Sequence, residues 1–319
     1  MTVFVTGGAG FIGSHFCRLL MKREELRVVC IDKLTYAGSL ENIADLTRSK
    51  RFRFVKADIA DREAMEKVFA EESPELVVNL AAESHVDRSI SDPGVFLQSN
   101  IVGTEILLSC CLKYGTKRFH QASTDEVYGD MPLSCNVGFT EDAPLRPSSP
   151  YAASKASADL LALAFCRTYG LHVTISRSSN NFGPAQYPEK LIPLAVKCAA
   201  SGKKVPVYGN GKNVRDWIFV EDNCRAMELI AFGGASGQVY NVGGGNAVSN
   251  LELVKRILAL CGADKDSFAF VEDRKGHDRK YLLDSGRIER ELGFKPSADF
   301  EQALAQTVKC CLNGTRFFR

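Results

Sequence analysis

The sequence carries almost no excess charge of either sign. Its 40 lysine and arginine residues stand against 38 aspartate and glutamate residues, which leaves a formal net charge of +2. A chain without a broad basic field is a poor match for nucleic acid or for an anionic membrane surface. We therefore expect neither among its partners, and an anionic ligand would have to be bound by local groups.

Three further absences narrow the class of protein. No Cys-x-x-Cys pair occurs among the eleven cysteines, so neither a zinc site nor a disulfide framework is indicated, and we predict no metal. The chain opens on a strand-like run without a signal peptide, and no apolar run is predicted to be long enough to span a bilayer. A reducing cytoplasm is the simplest expectation for its location.

Short apolar runs alternate with helical patterns through the first half of the chain. The runs at 2–6, 27–31, 52–55 and 76–80 predict buried parallel strands, and longer helical patterns lie at 95–114 and 151–169. This alternation predicts an α/β fold with a doubly wound parallel Rossmann sheet. We expect an NAD-binding domain at 1-182, with a returning segment near 220-248, and a smaller carboxy-terminal α/β substrate-binding domain mainly in 183-319.

A glycine-rich turn links the first strand to the first helix. Gly7, Gly10 and Gly13 are spaced G-x-x-G-x-x-G, a variant of the dinucleotide fingerprint. Such a turn lets a pyrophosphate approach the free N–H groups at the helix amino terminus. The second strand ends at Asp32, 19 residues after Gly13, where a carboxylate can accept both ribose hydroxyls of NAD. A helix cap is the alternative for Asp32, but the whole pattern favours NAD.

Residues suited to proton transfer follow the predicted strand at 118–122. Tyr151 and Lys155 lie on one helix face, and a neighbouring ammonium favours the phenolate and lowers its pKa. Thr124 is suited to hold a sugar hydroxyl, and Asp125 and Glu126 supply an acid and a base if their environments separate their pKa values. Two carboxyl groups exceed what alcohol oxidation needs, so elimination of water is indicated. Each motif alone is typical of ordinary helices and turns, whereas their conjunction favours an enzyme.

The chain resembles the extended short-chain dehydrogenase/reductase family over nearly its whole length, and within that family the dTDP-glucose 4,6-dehydratases. The resemblance rests on the segments 7–13, 81–89, 123–129, 151–155, 180–184, 188–193, 215–217 and 276–279. The Thr-Asp-Glu triplet at 124–126 is the discriminating part. Sibling nucleotide-sugar epimerases keep the tyrosine and the lysine but lack the paired acids.

The resemblance implies a lyase that uses NAD and dTDP-glucose. In the implied reaction, Tyr151 takes the proton of the C4 hydroxyl while NAD accepts the C4 hydride. Glu126 removes the C5 proton, and Asp125 protonates the departing C6 hydroxyl. The hydride then returns to C6 and a proton to C5, which gives dTDP-4-keto-6-deoxyglucose and regenerates NAD. Another NDP-sugar 4,6-dehydratase or an epimerase on the same scaffold is the alternative, and a non-catalytic NAD-binding protein is a further one.

The family pattern also implies two sets of binding residues and leaves the assembly open. The NAD site comprises Gly7, Gly10, Phe11, Ile12, Gly13, Asp32, Lys33, Leu34, Thr35, Asp58, Ile59, Leu80, Ala81, Ala82, Glu83, Ser84, Ser99, Tyr151, Lys155 and Asn181. The sugar-nucleotide site comprises Ser84, Thr124, Asn180, Lys190, Leu191, Val207, Tyr208, Arg215, Asn250, Asp273, Arg274, Lys275, Gly276 and His277. The apolar surfaces of the helices at 95–114 and 151–169 pack either inside one subunit or between subunits, and we expect a homodimer.

Arginines of the second half are candidates to hold the diphosphate. A guanidinium binds phosphate oxygens in a bidentate manner, unlike the point charge of lysine. Arg215, Arg274 and Arg279 stand in polar, turn-rich segments. Any one of them alone is more typical of an ordinary surface arginine.

Overall fold

A computed structural model of the chain describes residues 1–314. Its strands are β1 Thr2–Thr6, β2 Arg27–Asp32, β3 Phe52–Lys56, β4 Leu76–Asn79, β5 Arg118–Thr124, β6 His172–Ser178, β7 Asn180–Phe182, β8 Val205–Tyr208, β9 Val214–Phe219, β10 Gln238–Val242, β11 Ala247–Ser249 and β12 Phe268–Val271. Its helices are α1 Phe11–Met21, α2 Arg62–Glu72, α3 Val86–Ser91, α4 Gly94–Phe96, α5 Gly103–Tyr114, α6 Pro150–Tyr169, α7 Leu191–Ala200, α8 Val220–Gly233, α9 Asn250–Leu260, α10 Gly286–Leu292 and α11 Phe300–Leu312.

The central sheet has seven strands in the order β10-β6-β5-β4-β1-β2-β3, and every neighbouring pair is parallel. The chain winds outward from β1 in one direction and from β4 in the other, so the strand order reverses between these two. The predicted doubly wound parallel sheet is confirmed. In such a sheet a ligand crevice forms beyond the carboxyl ends of the strands at the point of reversal.

Both faces of this sheet are covered by helices, as the alternation of side chains along β1 shows. Val3 and Val5 point to one face, where they share a buried cluster with Phe16 of α1. Phe4 points to the other face and packs edge-on against Phe69 of α2, with ring centroids 5.0 Å apart. Because successive strand residues point to opposite faces, burial on both sides produces the continuous apolar runs seen in the sequence.

A second set of smaller sheets lies in the carboxy-terminal half. One has the order β11-β9-β7 and another pairs β12 with β8. The ring of Phe182 stands at their centre, with centroids 6.4 Å from Trp217, 5.6 Å from Phe219 and 5.4 Å from Phe300. Helices α7, α9 and α11 pack against one another beside this cluster. The strands β7 and β11 are three residues long, too short for the sequence pattern to predict.

The helical stretch Gly94–Tyr114 corrects one expectation. It has 21 residues and a mean hydropathy of 1.5, so by length and composition it is long and apolar enough to cross a membrane, contrary to the prediction that no such run exists. Of its most apolar window, 56% is buried inside the protein. Leu107 and Leu108 pack there against the central sheet. Burial of this kind is also found in the core helices of proteins without a membrane span.

None of the eleven cysteines, which all lie within residues 1–314, forms a disulfide bond. Cys17, Cys30 and Cys224 are buried, as are several others, where they serve as small apolar side chains. Within residues 1–314, no group of three or more His, Cys, Asp or Glu side chains is arranged to hold a metal ion. The thiols therefore contribute to packing.

Candidate active site

A cleft of about 330 Å³ runs along the carboxyl ends of the central strands. It brings together most of the predicted site residues. These are Gly7, Gly10, Phe11, Ile12, Gly13, Asp32, Lys33, Thr35, Asp58, Ile59, Leu80, Ala81, Ala82, Glu83, Ser84, Ser99, Thr124, Asp125, Glu126, Tyr151, Lys155, Asn180, Asn181 and Lys190. Most lie at or just after the end of a strand at this edge of the sheet, or on an adjoining helix.

The remaining predicted site residues do not line this cleft. They are Leu34, Leu191, Val207, Tyr208, Arg215, Asn250, Asp273, Arg274, Lys275, Gly276 and His277. The side chain of Leu34 packs instead against the apolar cluster that contains Phe16, and its N–H donates to Asp32. Most of the others belong to the smaller sheets and the loop after β12, which adjoin the cleft from the carboxy-terminal half.

Several residues that line the cleft were missed by the sequence reasoning. They are Ile31, Tyr36, Ala37, Gly38, Ala57, Ala122, Ser123, Ser178, Ser179, Gln186, Tyr187 and Glu189. Half of them are immediate chain neighbours of predicted residues, so for these adjacency was the available signal. Tyr36 and Tyr187 also meet edge to face, with centroids 5.3 Å apart, a contact between distant segments that no local pattern shows.

The glycine turn is shaped by close backbone approaches. Gly7 has a φ of 65°, and a Cβ there would lie 2.7 Å from the backbone nitrogen of Ala81. A Cβ on Gly13 would lie 2.2 Å from the carbonyl oxygen of Gly7. Gly10 forms the N-cap of α1 without any side-chain capping bond. The first N–H groups of α1 are thus left for an anion in the cleft.

Asp32 has a structural role as well as a place in the cleft. Its carboxylate accepts hydrogen bonds from the N–H groups of Ala9, at 3.0 Å, and Leu34, at 2.8 Å. Burial raises the pKa of this carboxyl. Each carboxylate oxygen has a second lone pair for a ligand hydroxyl. Lys33 donates to Asp58 at 3.4 Å and to Ser99 at 3.2 Å, which orders the neighbouring wall.

These features fit the adenosine diphosphate half of a dinucleotide. The uncapped helix suits a pyrophosphate, and Asp32 suits ribose hydroxyls. The small side chains of Ala81 and Ala82 leave room beside the strand ends. The cradle is therefore suited to NAD in both shape and hydrogen-bonding groups.

The paired acids lie in a 3-10 turn, Asp125–Tyr128, directly after β5. Thr124 accepts from the N–H of Glu126 at 3.3 Å and donates to Asp125 at 3.2 Å. Burial, followed by the charge of Glu126, raises the pKa of Asp125 well above its usual range. Burial also raises the pKa of Glu126, but the charges of Arg274, Arg215 and Lys190 oppose that rise. The two environments thus favour a protonated Asp125 beside a more readily ionised Glu126.

Tyr151 and Lys155 stand in the first turns of α6. The ammonium of Lys155 donates to the carbonyl of Ala122 at 2.6 Å, and burial lowers the pKa of Lys155 to about 8. The pKa of Tyr151 is raised by burial and by the charge of Glu126, while a hydrogen bond with Thr124 acts in the opposite direction. The predicted lowering of this phenol's pKa is therefore wrong for this arrangement, because burial and the nearby carboxylate raise it instead.

The three candidate arginines differ in what they contact. Arg279 donates to Asp130 at 2.7 Å, so its guanidinium is already engaged by a carboxylate. Arg215 donates to the carbonyl of Asp278 at 2.8 Å and stacks on a tyrosine ring. The charges of Arg215 and Arg274 both reach Glu126. These two therefore border the catalytic end of the cleft, whereas Arg279 does not serve there.

The chain matches a known family along most of its length. The family model described as GDP-mannose 4,6 dehydratase covers residues 4–307, and the chain therefore belongs to this dehydratase family. The chain is 45% identical over 340 residues to the dTDP-glucose 4,6-dehydratase of Salmonella typhimurium, an alignment that covers 99% of this chain and 94% of that protein. The resemblance predicted from the sequence is confirmed.

Solved structures extend the likeness to the fold. DesIV, a dTDP-glucose 4,6-dehydratase from Streptomyces venezuelae solved with NAD and TYD bound, superimposes with a TM-score of 0.93 at 47% identity, covering 97% of this chain and 96% of that one. A UDP-glucose 4-epimerase from Thermotoga maritima has a TM-score of 0.89 at 33% identity, with 97% and 98% covered. Because dehydratase and epimerase share the scaffold, the side chains in the cleft must distinguish the two activities.

Proposed function

We propose that this protein is a hydro-lyase that converts dTDP-glucose to dTDP-4-keto-6-deoxyglucose with NAD. The observation that carries the proposal is the placement of Asp125 and Glu126 in the same cleft as Tyr151 and the glycine turn. An epimerase needs no such acid pair. The 45% sequence identity to a dTDP-glucose 4,6-dehydratase, in an alignment that covers 99% of this chain, supports dTDP-glucose as the substrate.

The proposed NAD site uses the uncapped amino terminus of α1 for the pyrophosphate and Asp32 for the adenosine ribose. When bound, NAD supplies an oxidised nicotinamide that accepts hydride from C4 of the sugar and later returns it to C6. Lys155, with a pKa of about 8, is mostly charged at neutral pH and places a positive charge one helical turn from Tyr151. We assign Tyr151 as the group that takes the C4 hydroxyl proton and Thr124 as the group that orients that hydroxyl. Because burial raises the pKa of Tyr151, this role requires the positive charges of Lys155 and of the bound oxidised nicotinamide to favour the phenolate.

The elimination step is assigned to the two carboxyl groups. A ketone at C4 acidifies the C5 proton, which an ionised Glu126 can accept and return to C5 when hydride reaches C6. Asp125, held protonated by burial and by the charge of Glu126, can donate to the departing C6 hydroxyl. Separation of two carboxyl pKa values by environment is the usual basis of such acid and base assignments.

The first test is Glu126→Gln, which preserves shape and removes the base. We expect the formation of the 4-keto-6-deoxy sugar to fall by about 10²-fold or more, since general-base catalysis is of that size. Glu71→Gln, at an exposed carboxylate on the outer end of α2, is the control and should retain the parent rate. Product formation at the parent rate in Glu126→Gln would exclude Glu126 as the base.

A panel of NDP-glucoses separates the remaining alternatives. Mass spectrometry of the product distinguishes dehydration, which lowers the mass by one water, from epimerisation, which leaves the mass unchanged. A preference for another nucleotide would move the assignment to a different NDP-sugar 4,6-dehydratase. Retention of NAD without turnover of any sugar would favour a non-catalytic NAD-binding protein.

We also infer a homodimer, formed through the helical stretch Gly94–Tyr114 and α6. Large apolar side chains on these elements are exposed, among them Val95, Leu97, Val102, Leu160 and Tyr169. An isolated exposed side chain needs no explanation, but several on adjoining helices are typical of an interface.

The proposal also includes a division into two domains. We assign 1-182, with a returning segment near 220-248, to the NAD-binding domain and mainly 183-319 to the substrate-binding domain. A cytoplasmic location is part of the same proposal.

A further inference from the structure

A buried ion pair lies behind the catalytic residues and has no part in the reaction described above. Arg177 of β6 donates through Nε to Asp159 of α6 at 2.9 Å. The two side chains are 4% and 0% exposed. Buried ion pairs add little net stability, because removing two charges from water costs about as much as their attraction returns. Their presence at this depth therefore calls for a role in geometry or charge.

On one side, the pair formed by Asp159 and Arg177 faces Tyr151 and Lys155, the residues assigned to the oxidation step. Asp159 is four residues after Lys155 and eight after Tyr151, so all three follow one face of α6. The charge of Asp159 opposes the effect of burial on Lys155 and thereby keeps the lysine pKa from falling further. The charged groups facing Asp159 are Lys155 on its own helix and Arg177 from β6.

On the other side, the pair holds the turn that carries the acids. Arg177 donates to the phenol oxygen of Tyr128 at 2.9 Å, and its guanidinium lies 4.9 Å from the centre of that ring. The Tyr128 hydroxyl donates in turn to Asn241 of β10 at 2.7 Å. Tyr128 is the last residue of the turn that begins with Asp125 and contains Glu126.

We propose that Asp159 is a positioning residue that places a negative charge one helical turn behind Lys155 and, through Arg177 and Tyr128, ties the helix bearing Tyr151 to the turn bearing the acid pair. The inference rests on the proposed function for its catalytic consequence. One side chain thereby supports both the oxidation residues and the elimination residues. Its influence on Lys155 is a property of the protein alone and can be measured without substrate.

The central test is Asp159→Asn in the NAD-loaded protein. The amide keeps the shape and can still accept from Arg177, but it removes the negative charge. Because a negative neighbour raises the pKa of an ammonium, its loss lowers the pKa of Lys155 further below about 8. We expect the NMR titration of Lys155 to move to lower pH. With dTDP-glucose as substrate, we expect the alkaline limb of the pH profile of kcat to move to lower pH as well, with KM little changed.

Three further variants separate the contributions of charge, packing and the Tyr128 hydrogen bonds. Asp159→Glu restores the charge and should return the alkaline limb towards its original position. The double variant Asp159→Asn, Arg177→Gln removes both buried charges, so it carries the same titration test if the single variant is too unstable to fold. Tyr128→Phe keeps the ring but removes its hydrogen bonds, and should slow product formation without moving the titration of Lys155.

An unchanged Lys155 titration in a folded Asp159→Asn protein, or in the double variant, overturns the proposal. A Tyr128→Phe protein with the parent kcat overturns the link to the acid-bearing turn. Failure of the parent protein to turn over any NDP-glucose would instead contradict the proposed function. In that case the NMR titration still decides the effect of Asp159 on Lys155.

Discussion

At Gly7, the lack of a side chain decides the shape of the cofactor cleft. The residue adopts a φ of 65°, in the left-handed region that favours glycine. Its Cα also approaches the backbone at Leu80 and Ala81, where a Cβ would lie within 2.8 Å of backbone atoms. Two separate constraints therefore act at one position, the backbone conformation and the close approach of the chain after β4.

Gly7→Ala should cost more than its backbone conformation alone. A left-handed conformation costs a non-glycine residue about 1–2 kcal/mol, and the contact with Ala81 should raise the loss above ~2 kcal/mol. We also expect weaker binding of NAD, because the turn must shift. Denaturant unfolding and NAD titration measure the two effects.

Gly170 provides the matched control for this substitution. Its φ is 73°, but a Cβ there would meet nothing within 4 Å. Gly170→Ala should therefore reduce the free energy of unfolding only by the cost of the left-handed backbone conformation, and it should leave NAD binding unchanged. Equal losses of stability at the two positions would show that the approach to Ala81 contributes nothing.

Among the secondary-structure elements, α6 has the clearest link between local sequence and chemistry. Ser149 accepts from the N–H of Ala152 at 3.1 Å, and Pro150 occupies the first helical position. The helix ends at Gly170 in a left-handed conformation. Because Tyr151 lies in the first turn, the N-cap also sets the position of the phenol.

Ser149→Ala should weaken both the helix and the reaction. Loss of an N-cap bond costs about 1 kcal/mol, and a frayed first turn should lower kcat severalfold with little change in KM. Asp299→Ala is the control, since Asp299 caps α11 through the N–H of Gln302 at 2.9 Å, away from the cleft. Thermal unfolding and steady-state kinetics compare the two. An unchanged kcat in Ser149→Ala would mean that the cap does not position Tyr151.

For the whole molecule, the outer surface of α6 links the fold to the proposed assembly. Leu160 is 59% exposed and Tyr169 is exposed to the same extent. The inner face of the same helix buries Tyr151 and Lys155. A partner on the outer surface would therefore rest directly behind the catalytic helix.

Leu160→Glu should shift the protein from dimer to monomer. A carboxylate opposite an apolar partner surface would have to lose its hydration without a compensating partner. Leu260→Glu, at a leucine 41% exposed at the end of α9, is the control and should leave the mass unchanged. Light scattering coupled to gel filtration measures both. A parent protein that is already monomeric, or a dimeric Leu160→Glu protein, would contradict this interface.

The amino-acid sequence by itself determined the parallel sheet, the glycine turn, the bounds of α6 and the family. These features depend on neighbours along the chain, namely the period of apolar residues and the spacing of the glycines. The triplet at 124–126 belongs with them, because a strand end places consecutive residues in the same crevice.

Only the tertiary structure decided the electrostatics of the site and its supporting contacts. The pKa of Tyr151 is raised although Lys155 is one turn away, since burial and the charge of Glu126 raise it. The ion pair of Asp159 and Arg177 joins residues 18 positions apart, and the bond from Tyr128 to Asn241 spans 113. Desolvation and long-range contacts depend on which distant residues pack against a side chain. The spacing of residues along the chain gives no information about that packing.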